Sequence, residues 1–197
     1  MVILGPINQL PFTMSSTCGY LVPDRSFPIG EFKRAIIAFL EKEQIISYDA
    51  DTETSVSEDL SLSLFNCDIH DSGFAFEYAT IHDTINRRLV PEEWGEGDGA
   101  NCQKCQSCCD SQFSEALCDL YELEYENNQE TDMALLTIPC GNCGHINHLM
   151  NMQLDTPAEI ANQYIQFIDI ENDFHPGKVK ELNTFLNCNL KVFYSRL

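Results

Sequence analysis

Basic residues are scarce in this sequence of 197 residues, which has 11 Lys and Arg against 31 Asp and Glu and a formal net charge of −20. None lies between Glu43 and Asn86 or between Cys105 and Gly177, where ten and thirteen acidic residues occur. A surface of this sign repels phosphate backbones, which disfavours direct DNA or RNA binding. It attracts a basic protein, although such charge also serves solubility alone.

Long apolar runs are also absent. Nowhere do 18 apolar residues follow one another, so no transmembrane helix is predicted and we expect no membrane partner. The stretch from Met1 to Pro11 has no Lys or Arg and does not resemble a secretory signal peptide. We therefore expect a cytoplasmic location, where disulfides are disfavoured and Cys-x-x-Cys pairs indicate metal binding.

Recognisable catalytic motifs are missing too. The sequence contains no phosphate-binding loop, no G-x-S-x-G and no H-E-x-x-H. His70 and His82 each precede an Asp, and Cys67 lies nearby, but adjacent strand residues point to opposite faces. The alternative to a non-catalytic protein is an enzyme or accessory factor in which His70, His82 or His145 acts as acid or base.

Two Cys-x-x-Cys pairs carry the clearest chemistry, Cys102 with Cys105 and Cys140 with Cys143. A gap of two residues lets a tight turn aim both sulfurs at one ion. Four thiolates complete the tetrahedron around one zinc and leave no position for water, so the predicted site is structural. The second pair follows an apolar strand in LLTIPCGNCGH, and the two knuckles resemble those of a zinc ribbon.

Other ligand sets remain open. Cys105 and Cys108 form a Cys-x-x-Cys pair in a second register, and His145 or His148 can replace one cysteine. The remaining isolated cysteines lie in or beside apolar segments and are predicted to be small buried side chains. They are Cys18, Cys67, Cys118 and Cys188. Trp94, in an acidic Gly-rich loop, is either a partner-binding anchor or packed over a knuckle.

Hydrophobic periodicity predicts both helices and strands. The predicted helices cover about residues 29–43, 112–125 with Ser111 as N-cap, and 176–186, and Thr156–Pro157 resembles another helix start. The predicted strands cover about residues 20–23, 45–48, 60–64, 74–79, 135–138, 164–170 and 190–194. Segments 60–64 and 74–79 are expected to pair as a hairpin.

Each end of the chain thus alternates strand, helix and strand around the cysteine segment. We expect an α+β fold, a ferredoxin-like split βαβ sheet with an inserted zinc ribbon. The predicted domains are an N-terminal α+β half at 1–95, the ribbon insertion with an acidic helix at 96–152, and a C-terminal βαβ half at 153–197.

The layout resembles a diffuse group of small, uncharacterised bacterial proteins that contain a zinc ribbon. In these a Cys-x-x-Cys segment is followed by a short helix and a terminal apolar strand, here ending in Val192-Phe193-Tyr194-Ser195-Arg196-Leu197. The resemblance implies a fold type and leaves the activity open.

Together these features favour a non-catalytic, acidic interaction module with one structural zinc per chain. The expected partner is a basic protein, as for an immunity-type inhibitor that covers a cationic toxin or nuclease. The sequence leaves the oligomeric state open.

Overall fold

The structure, a computed structural model, describes residues 3–4, 17–42, 46–47, 55–56, 78–91, 99–127, 130–168, 170 and 173–196. The chain divides into two compact units. Unit 1 comprises Met1–Thr84 with Gln163–Leu197, and unit 2 comprises Ile85–Asn162. The predicted domain ranges 1–95, 96–152 and 153–197 stay predictions.

The described residues form three α-helices, α1 (Glu31–Lys42), α2 (Asp110–Asn127) and α3 (Pro176–Leu186). Their strands are β1 (Ile3–Leu4), β2 (Thr17–Pro23), β3 (Ile46–Ser47), β4 (Ser55–Val56), β5 (Tyr78–Val90), β6 (Ala100–Asn101), β7 (Thr137–Pro139), β8 (Ile146–His148), β9 (Gln153–Leu154), β10 (Glu159–Ile168) and β11 (Leu190–Arg196). Short 3₁₀ helices cover Met133–Leu135 and Leu149–Asn151. Helices and antiparallel sheets together confirm the predicted α+β class.

A five-stranded sheet has the strand order β1-β5-β10-β2-β11. Strand β2 has two antiparallel neighbours, because Leu21 lies opposite Ile165 of β10 on one side and Val192 of β11 on the other. Six of the seven residues of β2 are buried, as expected for a strand covered on both faces.

Helices α1 and α3 contribute to the core of unit 1. The buried residues of α1 recur at helical spacing, whereas Glu31 and Lys42 at its ends complement the helix dipole. His175 caps α3, because its Nδ1 accepts the N–H of Gly177 at 3.1 Å. The core of unit 1 is made up of Leu21, Phe32, Ile36, Phe39, Leu40, Ala79, Ile81, Ile165, Phe167, Ile170, Phe174, Val179, Leu182, Leu186 and Leu190.

Unit 2 is built from short strand pairs and α2. Strands β7 and β8 form a hairpin with Thr137 opposite His148, and β6 pairs with β9 through Ala100 and Leu154. The core of unit 2 contains Leu89, Ala100, Cys102, Cys109, Phe113, Leu117, Leu120, Met133, Ile138, Cys140, Leu149 and Met152. Two of the predicted metal ligands are therefore core residues.

A largely buried ion pair joins β5 to α2. Arg88 Nη1 lies 2.6 Å from both carboxylate oxygens of Glu124, and the two side chains are 12% and 11% exposed. The Arg88 guanidinium also lies 5.2 Å from the ring centroid of Tyr121. Glu124 accepts the N–H of Thr131 at 2.6 Å as well, so one carboxylate organises three segments.

Two local predictions are wrong. No helix begins at Thr156–Pro157, because β9 pairs with β6, the N–H of Asp155 donates to the C=O of Gly99 at 2.9 Å, and residues 155–157 form a bend that leads into β10. Ser111 is not an N-cap, because α2 begins one residue earlier. The predicted hairpin of 60–64 with 74–79 lies outside the described residues except for Tyr78 and Ala79, which begin β5.

Candidate metal centre

The first knuckle is a tight turn that follows β6. The N–H of Cys102 donates to the C=O of Ser107 at 2.9 Å, and the N–H of Gln106 donates to the C=O of Cys102 at 3.0 Å. Closing this turn places Gln106 in the left-handed region, with φ 60°. Asn101 bridges to Cys108 beyond the turn, so the knuckle is the tip of a small hairpin.

The second knuckle, between β7 and β8, repeats this pattern. The N–H of Cys140 donates to the C=O of His145 at 2.8 Å, and the N–H of Gly144 donates to the C=O of Cys140 at 2.9 Å. Gly144 has φ 66° and occupies the position that Gln106 holds in the first knuckle. Glycine adopts this backbone conformation freely, and Gly141 in the same knuckle does not have a positive φ.

The structure brings the four predicted sulfurs together. Those of Cys102, Cys105, Cys140 and Cys143 all lie within 4.8 Å of one another. The distance between Cys102 Sγ and Cys143 Sγ is 3.8 Å, and that between Cys105 Sγ and Cys140 Sγ is 3.6 Å. A tetrahedron with metal–sulfur bonds of about 2.3 Å has edges of about 3.8 Å, so the cluster has the dimensions of a four-thiolate metal site.

Backbone N–H groups surround these sulfurs in one repeated way. Each cysteine sulfur accepts a hydrogen bond from the N–H of the residue two positions later. For Cys102 Sγ the donor is Lys104, at 3.4 Å. The other donors are Ser107 for Cys105, Asn142 for Cys140 and His145 for Cys143. Hydrogen bonds to a thiolate stabilise its charge, so both turns are organised around anionic sulfur.

The pKa values follow these surroundings. A hydrogen bond with the side chain of Ser107 and one from its backbone N–H lower the pKa of Cys105 to about 6, and the N–H groups of Cys143 and Asn142 lower the pKa of Cys140. At Cys143 the N–H of His145 acts to lower the pKa, but burial and the neighbouring sulfurs outweigh it and raise the pKa to about 12. A bound dication would supply the charge that allows all four groups to ionise together.

Side-chain amides link the two knuckles directly. Asn147 is fully buried, and its Oδ1 accepts the N–H of Gln103 at 3.0 Å. From the second knuckle, Asn142 Nδ2 donates to Ser107 Oγ at 2.8 Å and lies 3.8 Å from Cys105 Sγ. Gln103 Nε2 also donates to the C=O of Asn151 at 2.8 Å. These outer contacts orient the sulfurs, and nothing in the sequence alone marks them.

The alternative ligands lie outside this cluster. Cys108 is exposed, and neither His145 nor His148 belongs to the group of four. Cys109 is buried beside the sulfurs, and burial together with the neighbouring Cys140 raises its pKa to about 11. Cys109 therefore keeps its proton and packs as an apolar side chain of the core.

The remaining candidate residues fall in different places. His82 in unit 1 stacks on Tyr164 with ring centroids 4.1 Å apart, whereas His145 belongs to unit 2. Cys18 is buried as predicted and Cys188 is half-buried, but the prediction for Cys118 is wrong because it lies on the exposed side of α2. Cys67, His70 and Trp94 lie outside the described residues.

Chemically, the cluster can hold one metal ion and do little else, because four protein ligands fill a tetrahedral site. In the part of the chain that the structure describes, no other group of three or more His, Cys, Asp and Glu side chains is arranged for a metal. That part also contains no helix long and apolar enough to cross a membrane. No protein-family model matches the sequence, and comparisons with curated proteins and with solved structures give no significant match.

Proposed function

We propose that this chain is a non-catalytic, acidic protein-interaction module whose unit 2 is stabilised by one structural zinc ion, and that its partner is a basic protein. The observation that carries the proposal is the closed cluster of four cysteine sulfurs in a chain with a net charge of −20. A site without an open position provides no metal-bound water, so the metal serves the fold.

Zinc is the metal that suits this donor set best. Tetrahedral sulfur sites in proteins hold zinc or iron, and zinc prefers such closed sites where no electron transfer is required. The four thiolates and one Zn²⁺ together carry two negative charges, which adds to the acidity of the chain. The free thiols among the described cysteines support a cytoplasmic location, where disulfides are rare.

The strand order supports a ferredoxin-like split βαβ sheet for the five-stranded part. In chain order, β2, α1, β5, β10, α3 and β11 alternate as in that fold, and β2 pairs antiparallel with both β10 and β11. The two knuckles and α2 lie in the chain between β5 and β10, where the proposed zinc ribbon is inserted. The resemblance to small bacterial zinc-ribbon proteins belongs to the same proposal.

The exposed side of α2 supports a basic partner. It bears four carboxylates at spacings of four, three and four residues, Glu115, Asp119, Glu122 and Glu126. Like charges at these spacings destabilise an isolated helix by about 0.2–0.5 kcal/mol per pair. A cationic surface removes this repulsion on binding, as when an immunity-type inhibitor covers a basic toxin or nuclease.

Metal analysis tests the zinc. Protein purified without added zinc should contain about one zinc per chain, and Cys140→Ser should reduce this to near zero because three thiolates leave the site open. Cys118→Ser is the matched control, since that cysteine is exposed in the same unit and outside the cluster. Iron in place of zinc, or equal zinc loss in both variants, would refute the assignment.

Affinity purification from the source cell, followed by titration of the recovered protein at increasing salt, tests the partner. We expect a basic protein whose affinity falls as salt rises, because charge pairs across an interface are screened. Recovery of an acidic partner, or an affinity independent of salt, contradicts the proposal.

A further inference from the structure

The four cysteines of the proposed metal centre differ in their exposure to solvent. Cys102 and Cys140, the first cysteine of each knuckle, are buried in the core of unit 2. Cys105 is half-buried, whereas Cys143 is exposed. A dissolved oxidant reacts only with a sulfur that it can reach, so Cys143 is the ligand at which such a reagent meets the cluster.

Exposure alone does not make a cysteine reactive, because the attacking group is the thiolate. Among the described cysteines, Cys108 and Cys118 are exposed as well, but they lie outside the group of four sulfurs and are not ionised by a metal there. A zinc ligand has to be deprotonated, so zinc bound as proposed above holds Cys143 as a thiolate. Cys143 is then both accessible and anionic.

A second sulfur lies close enough to Cys143 to form a disulfide with it. The distance between Cys143 Sγ and Cys102 Sγ is 3.8 Å, although the two residues are 41 positions apart in the chain. All four sulfurs lie within 4.8 Å of one another, so proximity by itself does not select Cys102. The selection depends on which of the other three sulfurs is the strongest nucleophile.

Hydrogen bonding makes Cys102 the strongest nucleophile of these three. Within the described residues, its Sγ accepts one backbone N–H, that of Lys104 at 3.4 Å. Cys140 accepts two backbone N–H groups of its own knuckle, and Cys105 makes hydrogen bonds with both the hydroxyl and the N–H of Ser107. Each hydrogen bond stabilises the charge on sulfur and so lowers its nucleophilicity. Cys102 is the least restrained in this way.

We propose that hydrogen peroxide oxidises Cys143 and Cys102 to a disulfide and thereby releases the zinc. The thiolate of Cys143 attacks one peroxide oxygen, the O–O bond breaks, and Cys143 becomes a sulfenic acid as hydroxide leaves. The thiolate of Cys102 then attacks this sulfur, the S–O bond breaks, and a second hydroxide leaves. Two thiolates lose two electrons in total, and one peroxide is reduced to two hydroxide ions.

The reaction empties the metal site but keeps the two knuckles joined. Cys105 and Cys140 alone cannot fill a tetrahedral site, so the zinc leaves. The disulfide connects the first knuckle to the second and closes the loop that the metal closed before. This inference rests on the function proposed above and adds a regulation of its metal centre, in which an oxidant frees zinc without opening the loop that carries α2.

The test uses the full-length zinc-loaded protein and hydrogen peroxide. We expect about one zinc to be released per peroxide consumed, measured with a chromogenic chelator. Dimedone, which labels sulfenic acids, should label Cys143 early in the reaction. Peptide mapping of the alkylated product should find Cys102 linked to Cys143, and a thiol reductant with added zinc should restore the metal content.

Two matched control variants keep all four ligands. Cys108→Ser and Cys118→Ser each remove an exposed cysteine outside the cluster and should release zinc at the wild-type rate. Slower release in either variant, a disulfide within one knuckle, or zinc release without any disulfide overturns the inference. Protein that contains no zinc when purified contradicts the proposed function itself, whereas bound zinc that peroxide leaves in place overturns the inference alone.

Hydrogen exchange distinguishes the oxidised protein from the chelated, reduced protein. Both lack zinc, but only the oxidised protein has a bond between the knuckles, so its α2 should keep more amide-exchange protection. Equal protection of α2 in the two preparations overturns the conclusion that the disulfide takes over the closure of the loop.

Discussion

At the scale of single residues, the two knuckles form the same turn with different residues at its left-handed position. Gln106 has φ 60° in the first knuckle, and Gly144 has φ 66° at the equivalent position of the second. A left-handed backbone costs an ordinary L-residue about 1–2 kcal/mol, whereas glycine adopts it freely. The first knuckle is therefore strained at one residue, and the second is not.

This asymmetry predicts opposite effects of two matched substitutions. Gln106→Gly should stabilise unit 2 by up to about 1 kcal/mol, because it removes the strain of the left-handed backbone. Gly144→Ala should destabilise it by about 1–2 kcal/mol, although a Cβ there meets no atom within 4 Å, because the cost comes from φ alone. Urea unfolding of the zinc-loaded proteins measures both, and a change of the same sign in the two variants would show that φ is not the cause.

Residue spacing predicted which cysteines come together but not what surrounds them. A Cys-x-x-Cys turn aims both sulfurs to one side by local geometry, so the pairs could be read without knowledge of the fold. No such local signal marks Asn147, whose role depends on its contact with Gln103 in the other knuckle. None marks Gln106 either, because its role depends on the backbone angle that the folded turn imposes. Cys118 was misassigned because an isolated cysteine carries no information about which side of a helix it occupies.

At the scale of elements, segments with a clear apolar pattern were predictable, including α1 and the strands near residues 20–23, 164–170 and 190–194, whereas segments without such a pattern were not. Phe32, Ile36 and Leu40 define the buried side of α1 from their spacing alone. The stretch from residue 80 to 90, most of β5, was not predicted as a strand, since its polar residues mask the alternation. The false helix start before β10 has the same origin, because long-range strand pairing overrides a local capping signal.

The ion pair between β5 and α2 gives a prediction at this scale. Glu124→Gln should destabilise unit 2 by roughly 3 kcal/mol, because Arg88 would keep its charge in a largely buried place. Glu126→Gln, on the exposed side of the same helix, should change stability by less than about 0.5 kcal/mol. If urea unfolding gave the same loss of stability for Glu124→Gln and Glu126→Gln, the ion pair would contribute no more to stability than a surface contact does.

The stability of the junction between β2 and β11 is expected to depend on pH. Asp24 accepts hydrogen bonds from the side chain and backbone of Asn189, at 2.9 and 3.0 Å, and these lower its pKa below the usual value of about 3.9. A depressed carboxyl pKa stabilises the fold above the unfolded pKa, and this contribution is lost as pH falls through the folded pKa.

We therefore expect the stability difference between wild type and Asp24→Asn to be constant near neutral pH and to shrink below about pH 4. Thermal unfolding across that range measures it. Asn189→Ala removes the donor side chain and should reduce the same pH dependence. A difference that grows on acidification would contradict the assignment.

At the scale of the whole molecule, each unit has a core of its own. The buried clusters of unit 1 and unit 2 share no residue, and Cys102 and Cys140 belong to the second. Apart from the ends of β5 and β10, the described strands of unit 2 are only two or three residues long, and such strands by themselves give little cooperative stability. Metal binding is therefore expected to support unit 2 and to leave unit 1 largely unaffected.

Chelation tests this separation. Removal of zinc should abolish amide-exchange protection in α2 and in β7 and β8, while α1, β2 and α3 keep theirs, because only unit 2 loses a cross-link in its core. Hydrogen-exchange mass spectrometry with chelator, and with chelator plus excess zinc as control, provides the comparison. Equal loss of amide-exchange protection in both units, or no loss in unit 2, would contradict the conclusion that the two cores are independent.

The 34 residues between Cys105 and Cys140 include all of α2, so a metal bound as proposed closes the loop that carries the acidic helix. Unlike a disulfide, this closure opens and re-forms without oxidation or reduction, and it follows mass action. Above the dissociation constant, each tenfold rise in free zinc adds about 1.4 kcal/mol to the stability of unit 2. The number of molecules that present an ordered acidic helix to a partner would then be set by the zinc supply of the cell.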